Sequence, residues 1–294
     1  MAFYSIKDLE KISGIKAHTI RIWERRYNLI EPQRTSTNIR FYNDDDLKRI
    51  LNVSILNQNG YKISKIAQMS EAQLRERVID LCLDTRNTDV QIESLLVAML
   101  EMDEGKFTHV LTNSIIKLGF ESTVETILFP FLDRIGILWQ AGTINPAQEH
   151  FISNLIRQKL IVAIDNEMQN FIPKADKNIV FFLPENELHE IGLLFYSLIA
   201  RKEGFNVVYL GAAVPIEDLK EVVDVRHADA LFTSFVAARK KEELETLMDE
   251  IAKSISGIPV FVMGLQIKEV QPAIPKHFKI VTSSQEFKKQ LSSF

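Results

Sequence analysis

The sequence holds one cysteine, Cys82, so a single chain can build neither a disulfide framework nor a cysteine-based zinc site. Eleven glycines and nine prolines in 294 residues are too few for a collagen-like or low-complexity chain. No apolar run approaches the roughly 20 residues that a membrane helix needs, and the Met-Ala-Phe-Tyr start lacks a basic segment leading into an apolar one. Gly-x-Gly-x-x-Gly and Gly-Lys-Ser/Thr phosphate loops are also missing. No paired-carboxylate, nucleophile-base or metal-hydrolase constellation has a workable spacing. These absences predict a cytoplasmic protein with no membrane partner and no free-standing catalysis. What is present, 46% hydrophobic and 25% charged residues, predicts two or three globular domains.

The net charge of -4 conceals an asymmetry: residues 1 to 70 hold 12 Lys and Arg against 7 Asp and Glu, and the other 224 residues hold 23 against 32. A basic head on an acidic body matches a nucleic-acid-binding domain, although an ordinary solvated basic face would give the same count. The pattern within the head is more specific. Ser5-Ile-Lys-Asp8 has capping-box form and starts a helix to about Ser13. Gly14 supplies a turn, and Ala17 to Tyr27 reads as a second helix with Ile20, Trp23 and Tyr27 on one face. Together they predict a helix-turn-helix. Beyond Pro32, residues 34 to 42 read as two short strands around a polar turn, with Asn38 suited to positive φ and Arg34 and Arg40 flanking the tip. Such a hairpin is a wing able to grip phosphates. Asn43 then caps a helix to Gly60, with Asp44, Asp45 and Asp46 at its positive end, and Ser64 and Ser70 start further short helices.

Tyr4-Ser-Ile-Lys-Asp-Leu, Thr19-Ile-Arg-Ile-Trp-Glu-Arg-Arg-Tyr27, Pro32-Gln-Arg34 and Arg40-Phe-Tyr42, in that order, resemble the MerR family of transcriptional regulators over about residues 3 to 70. The resemblance implies a dimer on a two-fold symmetric operator in double-stranded DNA, touched by Thr19, Arg21, Arg25, Tyr27, Arg34 and Arg40. Metal-sensing members follow the head with one long helix and a Cys-containing loop; this chain has neither, so its effector is something else.

Residues 89 to 165 carry four helical patterns. The clearest is Val124, Ile127, Leu128, Phe131, Leu132, Ile135, Leu138 and Trp139, unbroken by Pro130. Short connections predict an antiparallel four-helix bundle. Trp139 ends one helix and Glu149-His150 opens the next; spacing alone allows either a shared mouth or a core Trp beside a solvated turn. From residue 177 the period changes. Asn178-Ile-Val-Phe-Phe-Leu183 is an apolar strand of the doubly buried kind, and strands near 206 to 210, 230 to 233, 259 to 263 and 279 to 281 alternate with helices. This predicts a doubly wound parallel sheet, whose ligands bind beyond the carboxyl ends of the strands. Glu187-Leu-His189-Glu-Ile-Gly192 occupies that place. Glu187 can bond one ring nitrogen of His189 and leave the other as a metal ligand, and Gly192 admits a flat ligand to the helix start.

This stretch resembles the Asp/Glu-x-His-x-x-Gly signature of cobalamin-binding domains, in which the His replaces the cofactor's own base as lower cobalt ligand. Leu210-Gly-Ala-Ala-Val-Pro-Ile-Glu-Asp218 is also similar. Ser234 matches the Ser lining the groove for the displaced nucleotide tail, Val236 replaces a usual Leu, and Met263-Gly264 stands where many members have two glycines. In full order the chain resembles CarH-like, cobalamin-dependent MerR regulators, whose bundle motif of Trp, nine residues and Glu-His matches Trp139, Glu149 and His150. Light-sensing members have a His directly after that Trp; here Gln140, a poor cobalt ligand, occupies the position.

The expected domains are a MerR-type winged-helix DNA-binding domain (1 to 75), a four-helix bundle covering the cofactor (76 to 172) and a Rossmann-like, flavodoxin-like cobalamin-binding domain (173 to 294). The resemblance implies a non-enzymatic regulator, a repressor, whose oligomerisation (dimer or tetramer) and operator binding respond to cobalamin held between bundle and α/β domain. Light sensitivity is left open by Gln140. The cofactor residues so implied are Trp139, Glu149, His150, Glu187, His189, Gly192, Ser234 and Gly264, with His189 on the cobalt of cobalamin, foremost adenosylcobalamin. Two alternatives stay open. One is a regulator without cofactor that uses the domain for assembly or for an antirepressor protein; the other is a corrinoid-carrying methyltransferase component.

Overall fold

A computed structural model describes residues 4–35, 38–82, 88–140, 144–169, 171–173, 176–255 and 257–294; the side chains of Arg75, Ile79, Cys82, Ile137, Trp139 and Gln140 lie outside the described residues. The chain packs as two units, Met1–Leu155 and Ile156–Phe294.

In the first unit, α1 (Ile6–Ser13) opens on a complete capping box: Asp8 N donates to Ser5 Oγ (3.3 Å) and Ser5 N donates to Asp8 Oδ2 (2.7 Å). Gly14 ends it at φ 71°, the left-handed geometry that closes helices. Helix α2 (Ala17–Tyr27) has no side-chain cap from its own N-cap residue; Glu10 of α1 accepts the Ala17 N–H instead, at 3.1 Å. That bond, then the Lys16 ammonium, holds the Glu10 carboxyl below its usual range. The wing is β1 (Gln33–Arg34) paired antiparallel with β2 (Arg40–Phe41), and Asn38 adopts φ 67° as its turn chemistry predicts. Asn43 and Asp46 form the box that starts α3 (Asp44–Gln58). Helix α4 (Ile63–Ile66) begins one residue before Ser64, which therefore lies inside it, whereas Ser70 does cap α5 (Glu71–Cys82) through reciprocal bonds with Gln73.

Helix α6 (Thr88–Glu101) is buried on every side from Val90 to Leu100, although Gln91, Glu93 and Ser94 lie among its apolar residues. It packs on α3, on α5 and on α7 (Glu104–Leu118), so head and bundle share one core. After α8 (Phe120–Thr123) a π turn, Val124–Leu128, runs into α9 (Phe129–Gln140). The wider turn explains why Pro130 is tolerated. Proline has no N–H and its ring clashes with the carbonyl four residues back in a regular helix. Here the register has already slipped, with Phe129 N donating to Val124 O. Helix α10 (Pro146–Gln169), capped by Asn145, continues past Leu155 into the second unit.

Three polar residues sit inside α6, and Glu93 has a buried carboxylate oxygen with no hydrogen-bond partner. Burial, opposed by Arg134 and reinforced by Asp89, pushes its pKa up to about 7. A raised carboxyl pKa means the folded state holds the proton more tightly, so stability falls as pH rises from the usual range through 7. Glu93→Gln is therefore expected to stabilise the protein by about 1 kcal/mol at pH 8 and to change little at pH 4.5, measured by chemical denaturation at both values.

The second unit is a five-stranded parallel sheet in the order β4-β3-β5-β6-β7, made of β3 (Asn178–Pro184), β4 (Asn206–Val214), β5 (Ala230–Ser234), β6 (Val260–Met263) and β7 (Phe278–Ile280). By order of appearance this is the 2-1-3-4-5 arrangement of flavodoxin-like folds. The connections are α11 (Ile191–Lys202), α12 (Ile216–Arg226), α13 (Lys241–Ser254) and α14 (Leu265–Val270), and α15 (Ser284–Ser292) closes the chain. Successive side chains of a strand alternate between faces. Phe182 and Val180 accordingly join Leu219, Leu244, Met248 and Ile251 in one core layer, while Phe181 stacks on Phe232 at 4.9 Å in an aromatic layer with Tyr196 and Phe287. The strand reversal lies between β3 and β5, and the loops leaving those two strands frame the site. Among the described residues no helix is long and apolar enough to cross a membrane.

Candidate functional site

The loop after β3 turns at Asn186, φ 62°, and drops Glu187 inward until its side chain is fully buried. Its Oε2 accepts the backbone N–H of Val236 and of Ala237, both at 2.8 Å, in the loop that leaves β5. Its Oε1 accepts His189 N (3.2 Å) and His189 Nδ1 (2.6 Å), the second being the bond that the Glu-x-His spacing anticipates. One carboxylate thus closes the strand reversal and orients an imidazole. Burial alone would raise the Glu187 pKa, but the bonds from His189, Ala237 and Val236 together outweigh it and hold the carboxyl below its usual range. With Nδ1 donating to the carboxylate, a neutral His189 carries its lone pair on Nε2, and 59% of the side chain is exposed.

The other predicted residues of this site surround it at the carboxyl edge of the sheet. Gly192 lies in the first turn of α11; a Cβ there would come within 3.3 Å of the Met263 methyl group and 3.4 Å of its sulfur. Ser234 is fully buried at the end of β5, in register with Met263, and its Oγ has no hydrogen-bond partner. Gly264, φ 122°, is fixed by backbone: a Cβ would meet Phe235 O at 2.1 Å. Its glycine is thus required for the approach of β6 to the loop after β5, independently of any ligand. Sequence reasoning named Val236 only for its side chain and did not anticipate the Val236 and Ala237 N–H donors, because backbone donors leave no mark in the side-chain pattern; it also missed the Tyr209 and Arg157 partners of Glu190.

In the bundle, Glu149 and His150 fall in the first turn of α10 and bond to each other, His150 Nδ1 to Glu149 Oε2 at 2.7 Å. Trp139 ends α9, and its side chain lies outside the described residues, as does that of Gln140.

On the head, Arg21 and Arg25 are exposed on α2, with Arg25 Nε donating to Arg21 O at 3.4 Å, and Thr19 and Tyr27 are half-buried on the same helix. Arg34 is exposed on the wing, where it donates to Asn38 Oδ1 at 2.7 Å. Arg40 is placed differently: its Nε is buried and lies 3.9 Å from Glu24, a buried carboxylate that also accepts the Tyr42 hydroxyl. The pair ties the wing to the inner face of α2, a link between residues 16 to 18 positions apart that helical spacing could not show.

A bare metal ion at His189 would need three or four protein donors, yet no group of three His, Cys, Asp or Glu able to hold a metal exists among the described residues. A single exposed, carboxylate-backed imidazole suits a metal that arrives with its other ligands in a macrocycle and needs one axial donor. The unpartnered Ser234 hydroxyl at the carboxyl end of β5 has a hydrogen bond to offer to a polar substituent, because buried hydroxyls are almost always satisfied in a completed site. These residues fit a corrinoid.

The sequence matches the profile of MerR HTH family regulatory proteins over residues 4–73 and that of a B12 binding domain over residues 91–163. It is 30% identical to the HTH-type transcriptional repressor CarH of Myxococcus xanthus over 277 residues, 91% of either chain. Against the HTH-type transcriptional repressor CarA of the same organism the identity is 29% over 272 residues, 92% of this chain and 89% of that one. Among solved structures the fold is similar to that of the Methanosarcina barkeri monomethylamine corrinoid protein, with a TM-score of 0.51 at 15% identity, covering 74% of this chain and 99% of that one. At that identity the likeness is one of fold alone.

Proposed function

This chain belongs to the MerR-type DNA-binding transcriptional regulators that carry a B12-binding domain, the family of the CarH repressor, and from that premise we propose that its operator affinity and oligomeric state are set by cobalamin ligated through His189. The observation that carries the reading is the buried Glu187 carboxylate, which fixes the His189 tautomer while anchoring the adjacent loop at Val236 and Ala237. A bound cobalamin would supply a cobalt able to take a nitrogen donor from the protein. His189 Nε2 would be the cobalt donor, Gly192 would admit the ligand to the helix start once the Met263 side chain turns away, and Ser234 Oγ would donate to a polar substituent. Trp139, Glu149 and His150 are further contacts in this proposal, and adenosylcobalamin is the proposed form. Because Gln140 stands directly after Trp139, the signal in this reading is ligand occupancy rather than a light-locked adduct.

The coupling is a population shift, and cobalamin moves it only by its differential affinity for two arrangements of the protein; a ratio of about 100 corresponds to ~2.7 kcal/mol. A dimer or tetramer presenting two heads at operator spacing is the proposed DNA-binding form. The test is a gel shift on the duplex upstream of the gene, with sedimentation run in parallel, both in darkness with and without adenosylcobalamin. Cobalamin is expected to raise operator affinity at least about tenfold together with oligomer size; identical curves reject the proposal. One observation favours the cofactor-free reading, in which the domain serves assembly or an antirepressor: the Met263 thioether lies against Gly192. An absorbance titration with no bound spectrum would support it.

On the DNA side, Arg34 is proposed to contact phosphate and Arg21 and Arg25 to face the major groove, with Thr19, Tyr27 and Arg40 completing the surface. Arg34→Ala is expected to weaken binding to any duplex by about 1 kcal/mol and to lower the slope of log affinity against log salt by about one. Fluorescence anisotropy over a salt series measures both.

A further inference from the structure

Glu190, the residue after His189, stands at the N-cap of α11 but makes no side-chain bond to that helix. A carboxylate in that position ordinarily accepts one of the unpaired N–H groups of the first turn. This one is turned to tertiary partners instead. Its Oε1 lies 2.7 Å from Arg157 Nε on α10, and its Oε2 accepts the Tyr209 hydroxyl of β4 at 3.0 Å. The carboxylate passes close to Gly211, where a Cβ would be 3.9 Å from Oε2. Burial first, and then the neighbouring Glu190 charge, raise the Tyr209 pKa far above its usual value, so the phenol remains a donor at any working pH. Arg157 sits seven residues, two helical turns, after His150 on the continuous helix α10, so the two side chains share one face of it.

We propose that Glu190 and Arg157 are positioning residues that transmit occupancy at His189 to α10: Glu190, held to β4 by Tyr209, fixes the rotation of α10 through Arg157, so that a ligand pulling on the His189 loop moves this helix. The inference rests on the reading of His189 as a corrinoid ligand and adds the route by which the signal leaves it. Arg157 is 48% exposed and Glu190 18% exposed. Arg157 is the exposed partner, so its truncation costs little stability, which lets Arg157→Ala separate a coupling role from a structural one.

Full-length wild-type protein, Arg157→Ala, Arg157→Lys and Glu190→Gln are each titrated with adenosylcobalamin by absorbance, and their operator affinities are measured with and without it. Arg157→Ala and Glu190→Gln are expected to unfold at the wild-type denaturant concentration and to bind adenosylcobalamin within threefold of wild type. Their ratio of operator affinities with and without ligand is expected to fall at least fivefold. Arg157→Lys, which keeps the charge, is expected to retain at least half of the wild-type ratio. A wild-type ratio in Arg157→Ala overturns the inference, as does a loss of cobalamin affinity equal to the loss of coupling, which would make the pair part of the binding site. Absence of cobalamin binding by wild-type protein rejects the reading of His189 itself, and the inference with it.

Discussion

His189→Ala is expected to lower the affinity for cobalamin by about 100-fold, or ~2.7 kcal/mol, while leaving the fold and the ligand-free DNA affinity unchanged. The size follows from what the imidazole does. Its Nδ1 is engaged by a buried carboxylate, so Nε2 is presented in one tautomer and the ring pays little ordering entropy on ligation. Another donor would serve the cobalt in the variant, which keeps the loss below that of a full coordinate bond. The fold is spared because the side chain is 59% exposed and does not belong to either core layer of the sheet domain. Absorbance titration measures the affinity, and chemical denaturation checks the fold. An affinity within threefold of wild type would remove His189 as the ligand.

Glu187→Ala is the substitution expected to do most damage to the sheet domain, at about 3 kcal/mol of its stability. The carboxylate is fully buried and accepts three backbone N–H groups, of Val236, Ala237 and His189, besides the ring. Alanine strands these donors away from water, and a buried donor without an acceptor costs its full desolvation. Glu187→Gln keeps one acceptor oxygen and is expected to cost about half as much. The pH dependence has a defined sign. A carboxyl held below its ordinary range contributes stability that is complete above that range and is lost as pH falls through the lowered folded-state value. Wild-type protein should therefore weaken more steeply than Glu187→Gln as pH falls through and below the ordinary carboxylate range, because in the variant this group no longer titrates. Parallel denaturation curves for the two proteins across that window would contradict the role given to Glu187.

Much of the architecture was legible because its signals are local. The Ser5 capping box, the Asn43 cap, the Gly14 turn, the bounds of the Ala17–Tyr27 helix and the Asn38 turn each depend on residues within a few positions of one another. The doubly buried strand beginning at Asn178 and the alternation after it led to the parallel sheet in the same way. What escaped depends on register or on distant partners. Strand β4 runs four residues beyond Leu210, through Gly211 at φ 80° and Ala213 at φ 57°, with shifts in its pairing to β3 that no propensity encodes. Helix α14 is one short stretch after Gly264, too brief for a periodic trace. The π turn before Pro130 is a backbone adjustment that the apolar spacing conceals. At the site, the Glu187–His189 bond spans two residues and could be read in advance, whereas Glu187 to Val236 spans 49 and Glu190 to Arg157 joins separate elements. The motif of Trp139 with Glu149 and His150 is a proposal drawn from spacing.

The claim on which the account turns is that the His189 ring nitrogen binds the cobalt of cobalamin. Its most direct test is the electron paramagnetic resonance spectrum of the protein loaded with the one-electron-reduced, cob(II) form, prepared once with ordinary histidine and once with histidine carrying the heavy nitrogen isotope. The account predicts that the nitrogen splitting changes from a triplet to a doublet on labelling and that the change is absent in His189→Ala. A triplet that survives labelling would show that the cofactor's own base holds the position, and would contradict the account.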